Sequence, residues 1–124
     1  MLVKVYTDGA ARGNPDGPGG YGAVLEYVDG KGQLHTKELS QGYTKTTNNR
    51  MELMAAIVGL EALNRPCEVE LYSDSKYLVD AFNQHWIDSW LRKNWVNSQK
   101  KPVKNPDLWK RLLKAKGPHQ VTFI

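Results

Sequence analysis

The chain is predicted to fold as an α/β structure around a mixed five-stranded sheet, an antiparallel three-strand meander continued by parallel strands and flanked by helices. Three observations predict it. Two short runs rich in β-branched and aromatic residues, Leu2-Val3-Lys4-Val5-Tyr6-Thr7 and Val69-Glu70-Leu71-Tyr72-Ser73, each lead into an aspartate, Asp8 and Asp74. Between them, residues 21–28 and 34–43 read as two further strands joined by the turn signal Asp29-Gly30-Lys31-Gly32. A long apolar helical pattern then separates this meander from the second aspartate, which requires a crossover connection.

Taken in order, the first strand defines an upper edge at Asp8, where it enters the glycine-rich stretch 9–22. The hairpin goes down and returns up. The helix that follows therefore starts at the same edge as Asp8 and runs downwards, with Glu52 in its first turn. Met51, Leu53, Met54, Ile57, Val58, Leu60 and Leu63 spread apolar residues over more than one of its faces, so it is expected to be largely buried. Asn64-Arg65-Pro66 ends it, and a right-handed crossover delivers Asp74 to the upper edge. Residues 75–82 and 87–93 read as helices, and 94–104 as a polar connection. Asn105 as N-cap and Pro106 at the first position start a helix with the stripe Leu108, Trp109, Leu112 and Leu113, which Gly117-Pro118 stops. Residues 120–124 begin the fifth strand.

At 124 residues the chain is read as one domain, 1–124, able to bury roughly two-thirds of the surface its unfolded form exposes. It holds no apolar run of membrane-spanning length and no secretory-signal pattern, which predicts a soluble cytoplasmic protein; a monomer is the separate expectation for its assembly. The single cysteine, Cys67, excludes an internal disulfide and is assigned to packing. His35, His85 and His119 are read as surface residues.

Net charge is +4, but its distribution says more, because Arg92, Lys93, Lys100, Lys101, Lys104, Lys110, Arg111, Lys114 and Lys116 fall in one region with Asp107 as their only acid. The overlapping stretch 86–109 holds all four tryptophans, Trp86, Trp90, Trp95 and Trp109. Positive charge interleaved with aromatic surface points to nucleic-acid binding. The structural alternative is a solvated basic face over buried tryptophans.

Asp8, Glu52 and Asp74 are expected to meet at one edge of the sheet, outside the carboxyl ends of parallel strands. Two carboxylates at about 4 Å repel by roughly 4 kcal/mol at an effective dielectric near 20, so three of them call for a counter-ion. An oxygen-only donor set suits Mg2+, or Mn2+, rather than zinc, and Mg2+ commonly shares substrate phosphate oxygens. The expected substrate is a phosphodiester. Taken singly, each acid also has a structural use: Asp8 as a turn residue before Gly9, Asp74 as a helix cap, and Glu52 with Asn49 as a near capping box. Capping does not require three acids to converge.

Gly17-Pro18-Gly19-Gly20-Tyr21-Gly22 formally matches the dinucleotide-binding pattern, but it leads into a strand rather than a helix, and a Gly-Lys-Ser/Thr loop is absent. Turns and close approach of backbone to a ligand are the expected uses of these glycines.

Tyr6-Thr7-Asp8-Gly9, Gly13-Asn14-Pro15, the glycine run, Thr46-Thr47-Asn48-Asn49-Arg50-Met51-Glu52-Leu53 and Tyr72-Ser73-Asp74-Ser75 together resemble type 1 ribonuclease H. The stretch 86–109, with Lys100-Lys101-Pro102-Val103-Lys104-Asn105, is similar to the basic protrusion of bacterial members. The resemblance implies a ribonuclease H-like fold and a metal-dependent endonuclease that cleaves the RNA strand of RNA/DNA hybrids, leaving 5′-phosphate and 3′-hydroxyl ends. It implies that Asp8, Glu52 and Asp74 are catalytic metal ligands, with Asp8 bridging two ions. Gly9, Asn14, Asn48 and Lys76 match positions that contact the RNA strand. Thr47, Arg50 and Asn105 match a pocket for a DNA-strand phosphate, and Trp90, Arg92 and Lys93 the DNA side. A related nuclease or strand-transfer domain of the same fold is the more distant alternative, against which the Thr47, Arg50 and Asn105 set argues.

The family continues past the fifth strand into a histidine-bearing loop and a helix with a fourth catalytic aspartate, and neither follows Ile124 here. His119 precedes the strand and is not expected to replace that histidine. The alternative expectation is therefore a catalytically impaired hybrid-binding module.

Overall fold

Alternation across residues 2–7 builds the first strand. In the computed structural model, which describes residues 1–13, 16–97 and 99–124, β1 (Leu2–Ala11) buries Val3 and Val5 and turns Leu2 and Tyr6 outward. β1 runs past Asp8, which therefore lies inside the strand rather than at its end. The cause is the neighbouring strand. β2 (Gly17–Val28) starts earlier than its β-branched residues indicate, and it pairs Gly22 with Asp8, Gly20 with Ala10 and Gly19 with Ala11. A Cβ on Gly19 would stand 2.5 Å from the Ala10 carbonyl oxygen, and one on Gly20 2.8 Å from that of Gln41. These glycines allow close approach between the strands.

β3 (Leu34–Thr46) completes the meander. Its turn is set by Asp29, whose carboxylate accepts from the backbone N–H of Lys31 and Gln33 at 2.8 and 2.9 Å. The other carboxylate oxygen lies 2.8 Å from His35 Nε2, and the imidazole stacks on Tyr27.

α1 (Asn48–Glu61) follows, then β4 (Glu68–Tyr72), α2 (Lys76–Asn83), α3 (Trp86–Arg92), α4 (Pro106–Lys116) and β5 (Gln120–Phe123). The sheet order is β3-β2-β1-β4-β5, with β4 parallel to β1 and β5 parallel to β4. α1 is the central buried helix, with Met51, Leu53, Ala55, Ala56, Ile57 and Leu60 all inside. Its N-cap is Thr47, whose hydroxyl accepts from Arg50 N–H at 3.2 Å. Glu52 thus sits beyond the first turn, and the near capping box with Asn49 does not form. At α2 the cap is Ser75, accepting from Leu78 N–H at 3.2 Å, which removes the capping role considered for Asp74.

α4 is locked to the core through its tryptophan. Trp109 is fully buried, donates from Nε1 to the Tyr77 hydroxyl at 3.0 Å and meets both Tyr77 and Trp90 edge-on at 5.3 Å. Trp90 is itself only 9% exposed, so the structural alternative holds for these two tryptophans. On the solvent side, Arg111 of α4 grips Glu61 of α1 through two hydrogen bonds of 2.8 and 2.7 Å. Cys67 is buried as expected, and its backbone N–H donates to His119 Nδ1 at 3.0 Å. His35 and His119 are partly exposed and partnered, by Asp29 and by the Cys67 N–H, and His85 is exposed beside Asp88 at 3.1 Å.

Among the described residues no helix is long and apolar enough to cross a membrane.

Trp109→Ala is expected to lower unfolding free energy by about 3–5 kcal/mol, measured by urea denaturation. Arg111→Gln tests the α1–α4 clasp. The Arg111 hydrogen bond holds the Glu61 carboxyl below its ordinary range, so the clasp stabilises above that range and is lost as pH falls through the lowered value. Because both groups are more than a third exposed, the loss in the variant is at most about 1 kcal/mol at neutral pH, and parent and variant converge in acid.

Candidate active site

The parallel pairing of β1 with β4 ends at the rung Tyr6–Tyr72, whose rings stack 5.0 Å apart. Asp8 and Asp74 each lie two positions beyond that rung. The backbones are held there by hydroxyls: Thr7 Oγ1 donates to the Tyr72 carbonyl at 3.0 Å, and Ser73 Oγ accepts from Ser75 N–H at 3.0 Å. Reasoning from sequence passed over Thr7 and Ser73. The available signal was the repeated triplet Tyr-Thr-Asp and Tyr-Ser-Asp, a hydroxyl before each acid.

Glu52 reaches between the two strand ends. Its Oε1 accepts from Gly9 N–H at 3.3 Å and its Oε2 from the Ser73 hydroxyl at 3.4 Å, so one carboxylate is bonded to the neighbours of both aspartates. Only glycine permits this approach, because a Cβ at position 9 would lie 2.5 Å from the Met51 carbonyl carbon and 2.6 Å from the Glu52 nitrogen. Burial raises the Glu52 pKa, the Gly9 N–H opposes that rise, and the negative charges of Asp8 and Asp74 add to it. The three acids therefore share one electrostatic environment.

They do not form a finished ion cage. Among the described residues no three acidic, histidine or cysteine side chains are gathered closely enough to hold a metal ion as they stand. Glu52 is held by its two hydrogen bonds, while Asp8 and Asp74 are exposed. The donor set, all carboxylate with an adjacent hydroxyl, fits a hard divalent cation. The site is an open edge; a recess of about 370 Å3 lined by Val3, Leu25, Tyr27, His35 and Cys67 lies elsewhere, at the lower end of the sheet.

The remaining predicted contacts separate into groups. Asn48 opens α1 and accepts through its side-chain oxygen from Ala11 N–H, tying the end of β1 to the helix. Lys76 is exposed at the first position of α2, two residues from Asp74. Asn14 lies outside the described residues. Arg50 donates to Asn105 Oδ1 at 3.1 Å and to both carboxylate oxygens of Asp107 at 3.2 and 2.8 Å. Asn105 occupies the N-cap of α4 at φ 56° without capping it, because its amide is engaged by Arg50 and by the Tyr77 hydroxyl at 3.4 Å.

The basic region is more ordered than a polar connection. Val96 bridges Pro102, Asn97 N–H donates to the Lys101 carbonyl at 2.9 Å, and the Asn97 side chain accepts from Gln99 and Lys101 N–H, making a compact loop with Lys100 and Lys101 exposed. Trp95 lies under Lys110, whose ammonium stands 5.3 Å from the ring centre. Arg92 and Lys93 are exposed at the end of α3. Trp90 is corrected: it faces inward against Trp109 and cannot line the surface that Arg92 and Lys93 present, because the core takes its side of a helix of only seven residues.

The family model described as RNase H matches residues 2–124. The chain belongs to the ribonuclease H family. It is 68% identical over 123 residues to the Ribonuclease H of Lachnoclostridium phytofermentans, covering 99% of this chain and 78% of that protein. It is 57% identical to the Ribonuclease H of Caldanaerobacter subterraneus subsp. tengcongensis, covering 99% and 76%. Among solved structures, LC9-RNase H1, a type 1 RNase H with the type 2 active-site motif, superposes with a TM-score of 0.85 at 30% identity; the match covers 98% of this chain but only 61% of that one. LC11-RNase H1 in complex with an RNA/DNA hybrid superposes at 0.62, also at 30% identity, covering 98% and 83%. The ribonuclease H family is a family of nucleases, and its mixed five-stranded sheet is the one observed here.

Gly9→Ala is expected to cost about 1–3 kcal/mol through overpacking of β1 against the backbone of α1. Chemical denaturation reads the loss, and an unchanged midpoint would show that the two elements separate freely.

Proposed function

We propose that this chain is an endoribonuclease that hydrolyses the RNA strand of RNA/DNA hybrids in a metal-dependent reaction, leaving 5′-phosphate and 3′-hydroxyl ends. The observation that carries the reading is the placement of Glu52, bonded to Gly9 and Ser73 and so set between Asp8 and Asp74 at the upper edge of the sheet. Membership of the ribonuclease H family supports it, as does the fold shared with a relative solved on an RNA/DNA hybrid.

Asp8, Glu52 and Asp74 are the groups that would hold Mg2+, with Mn2+ as the alternative. Bound there, such an ion supplies Lewis-acid polarisation of the phosphoryl group and lowers the pKa of attacking water. Glu52, held by its two hydrogen bonds, would be the positioned ligand, and the exposed Asp8 and Asp74 would complete the donor set. Gly9, Asn48 and Lys76 flank this edge and are assigned, with Asn14, to the RNA strand. Thr47 and Arg50 offer a hydroxyl and a guanidinium to a phosphate of the DNA strand, with Asn105 as the support of Arg50. Arg92, Lys93 and the loop lysines Lys100 and Lys101 extend the positive surface. Contacts of this kind go to backbone and groove shape, so sequence preference is weak. The enzyme is proposed to act as a cytoplasmic monomer.

The second reading is a catalytically impaired hybrid-binding module that keeps the substrate contacts without turnover. Cleavage of a hybrid against double-stranded RNA and DNA, with and without Mg2+ or Mn2+, separates the two. The nuclease reading expects cleavage confined to the hybrid and dependent on the ion. Asp8→Asn is expected to reduce it by at least about a hundredfold while hybrid binding persists, a loss of several kcal/mol of transition-state stabilisation. A variant as active as the parent would sink the assignment.

A further inference from the structure

The guanidinium of Arg50 is already occupied in the free protein. Asp107 Oδ1 accepts from Nη1 at 3.2 Å and Oδ2 from Nη2 at 2.8 Å, the two-pronged geometry in which a guanidinium also receives a phosphate. Asn105 Oδ1 takes a further hydrogen bond from Nη1 at 3.1 Å.

The two partners of Arg50 differ in how they are held. Asn105 is half-buried, and its amide nitrogen reaches the Tyr77 hydroxyl, which in turn receives the buried Trp109 indole N–H. It is tied to the core through Tyr77. Asp107 is an exposed acid in the first turn of α4, with 62% of its side chain in solvent. A side chain so placed swings aside without disturbing packing. It is also the only acid in a stretch of sequence otherwise dominated by lysine and arginine, which puts a negative charge at the point where the proposed pocket would receive one from its ligand.

We infer that Asp107 is a displaceable phosphate surrogate: its carboxylate keeps the Arg50 fork aligned in the free protein and yields it to a DNA-strand phosphate, thereby setting hybrid affinity. The inference rests on the proposed function and adds to it a residue that tunes affinity without touching the reacting atoms. A carboxylate and a phosphate cannot share one bidentate edge, so each hybrid bound requires the ion pair to open. An exposed pair of this kind shifts an equilibrium by up to roughly fivefold. The alignment function and the competition have opposite signs on binding, and the proposal is that competition prevails.

The test is a set of dissociation constants for a short RNA/DNA hybrid of fixed sequence, measured without divalent ions so that cleavage does not intervene. Asp107→Asn is expected to tighten binding roughly two- to fivefold, Arg50→Ala to weaken it, and the double variant to bind as Arg50→Ala alone does. Asp88→Asn removes a similarly exposed acid on α3, paired with His85 rather than with Arg50, and is expected to tighten binding less. Unchanged or weaker binding by Asp107→Asn overturns the inference, as does equal tightening with Arg50 present and absent, since that reports bulk charge alone. If Arg50→Ala binds as tightly as the parent, it is the phosphate-pocket reading itself that fails.

Discussion

The close approach of β1 to α1 at Gly9 is the contact on which the rest of the site depends. A strand and a helix ordinarily stand apart by the width of their side chains, but the missing Cβ at position 9 lets the helix backbone at Met51 and Glu52 lie directly against the strand. That proximity turns a backbone N–H toward the Glu52 carboxylate and half-buries it. The neighbouring rungs then matter: Thr7 and Ser73 secure the strand ends around it, and the Tyr6–Tyr72 stack braces the last paired residues on the sheet's outer face. An acid placed this way is destabilised in its charged form, which makes it receptive to a cation or a proton.

Much of this arrangement was legible from local pattern. Alternation in β1 and β4, the apolar run Leu53, Ile57 and Leu60, and the Asp29 turn each carry their geometry within a few residues, so the element order and the crossover followed from sequence. The three acids were placed at one edge by that topology alone. Side-chain rotation was not legible, and so neither was the pairing of Glu52 with Gly9 and Ser73. The length of β1 also escaped, because it is set by glycines in its partner strand rather than by its own residues. Trp90 was misread for a related reason: spacing shows that tryptophans and cations alternate, but not which side of α3 the core claims. The pair of Arg50 with Asp107 joins positions 57 apart and leaves no local trace.

Acidic and basic halves of the molecule are joined through one aromatic cluster. Trp109 touches Tyr77 of α2, Trp90 of α3 and, more distantly, Phe82, so the helices bearing positive charge are packed to the same core that positions the acids. Asn105 extends that linkage outward, from Trp109 through Tyr77 to Arg50 at the start of α1. The two halves are therefore joined by packing and hydrogen bonds rather than by sequence alone.

The loop around Asn97 shows what ordering before binding is worth. Lysines on a flexible tail attract phosphates but must surrender rotational freedom when they dock, which erodes the gain. Here the turn is already closed by its own amides and the ring of Trp95 lies beneath Lys110. Each of these contacts, formed on folding, is one less for a polyanion to order on binding.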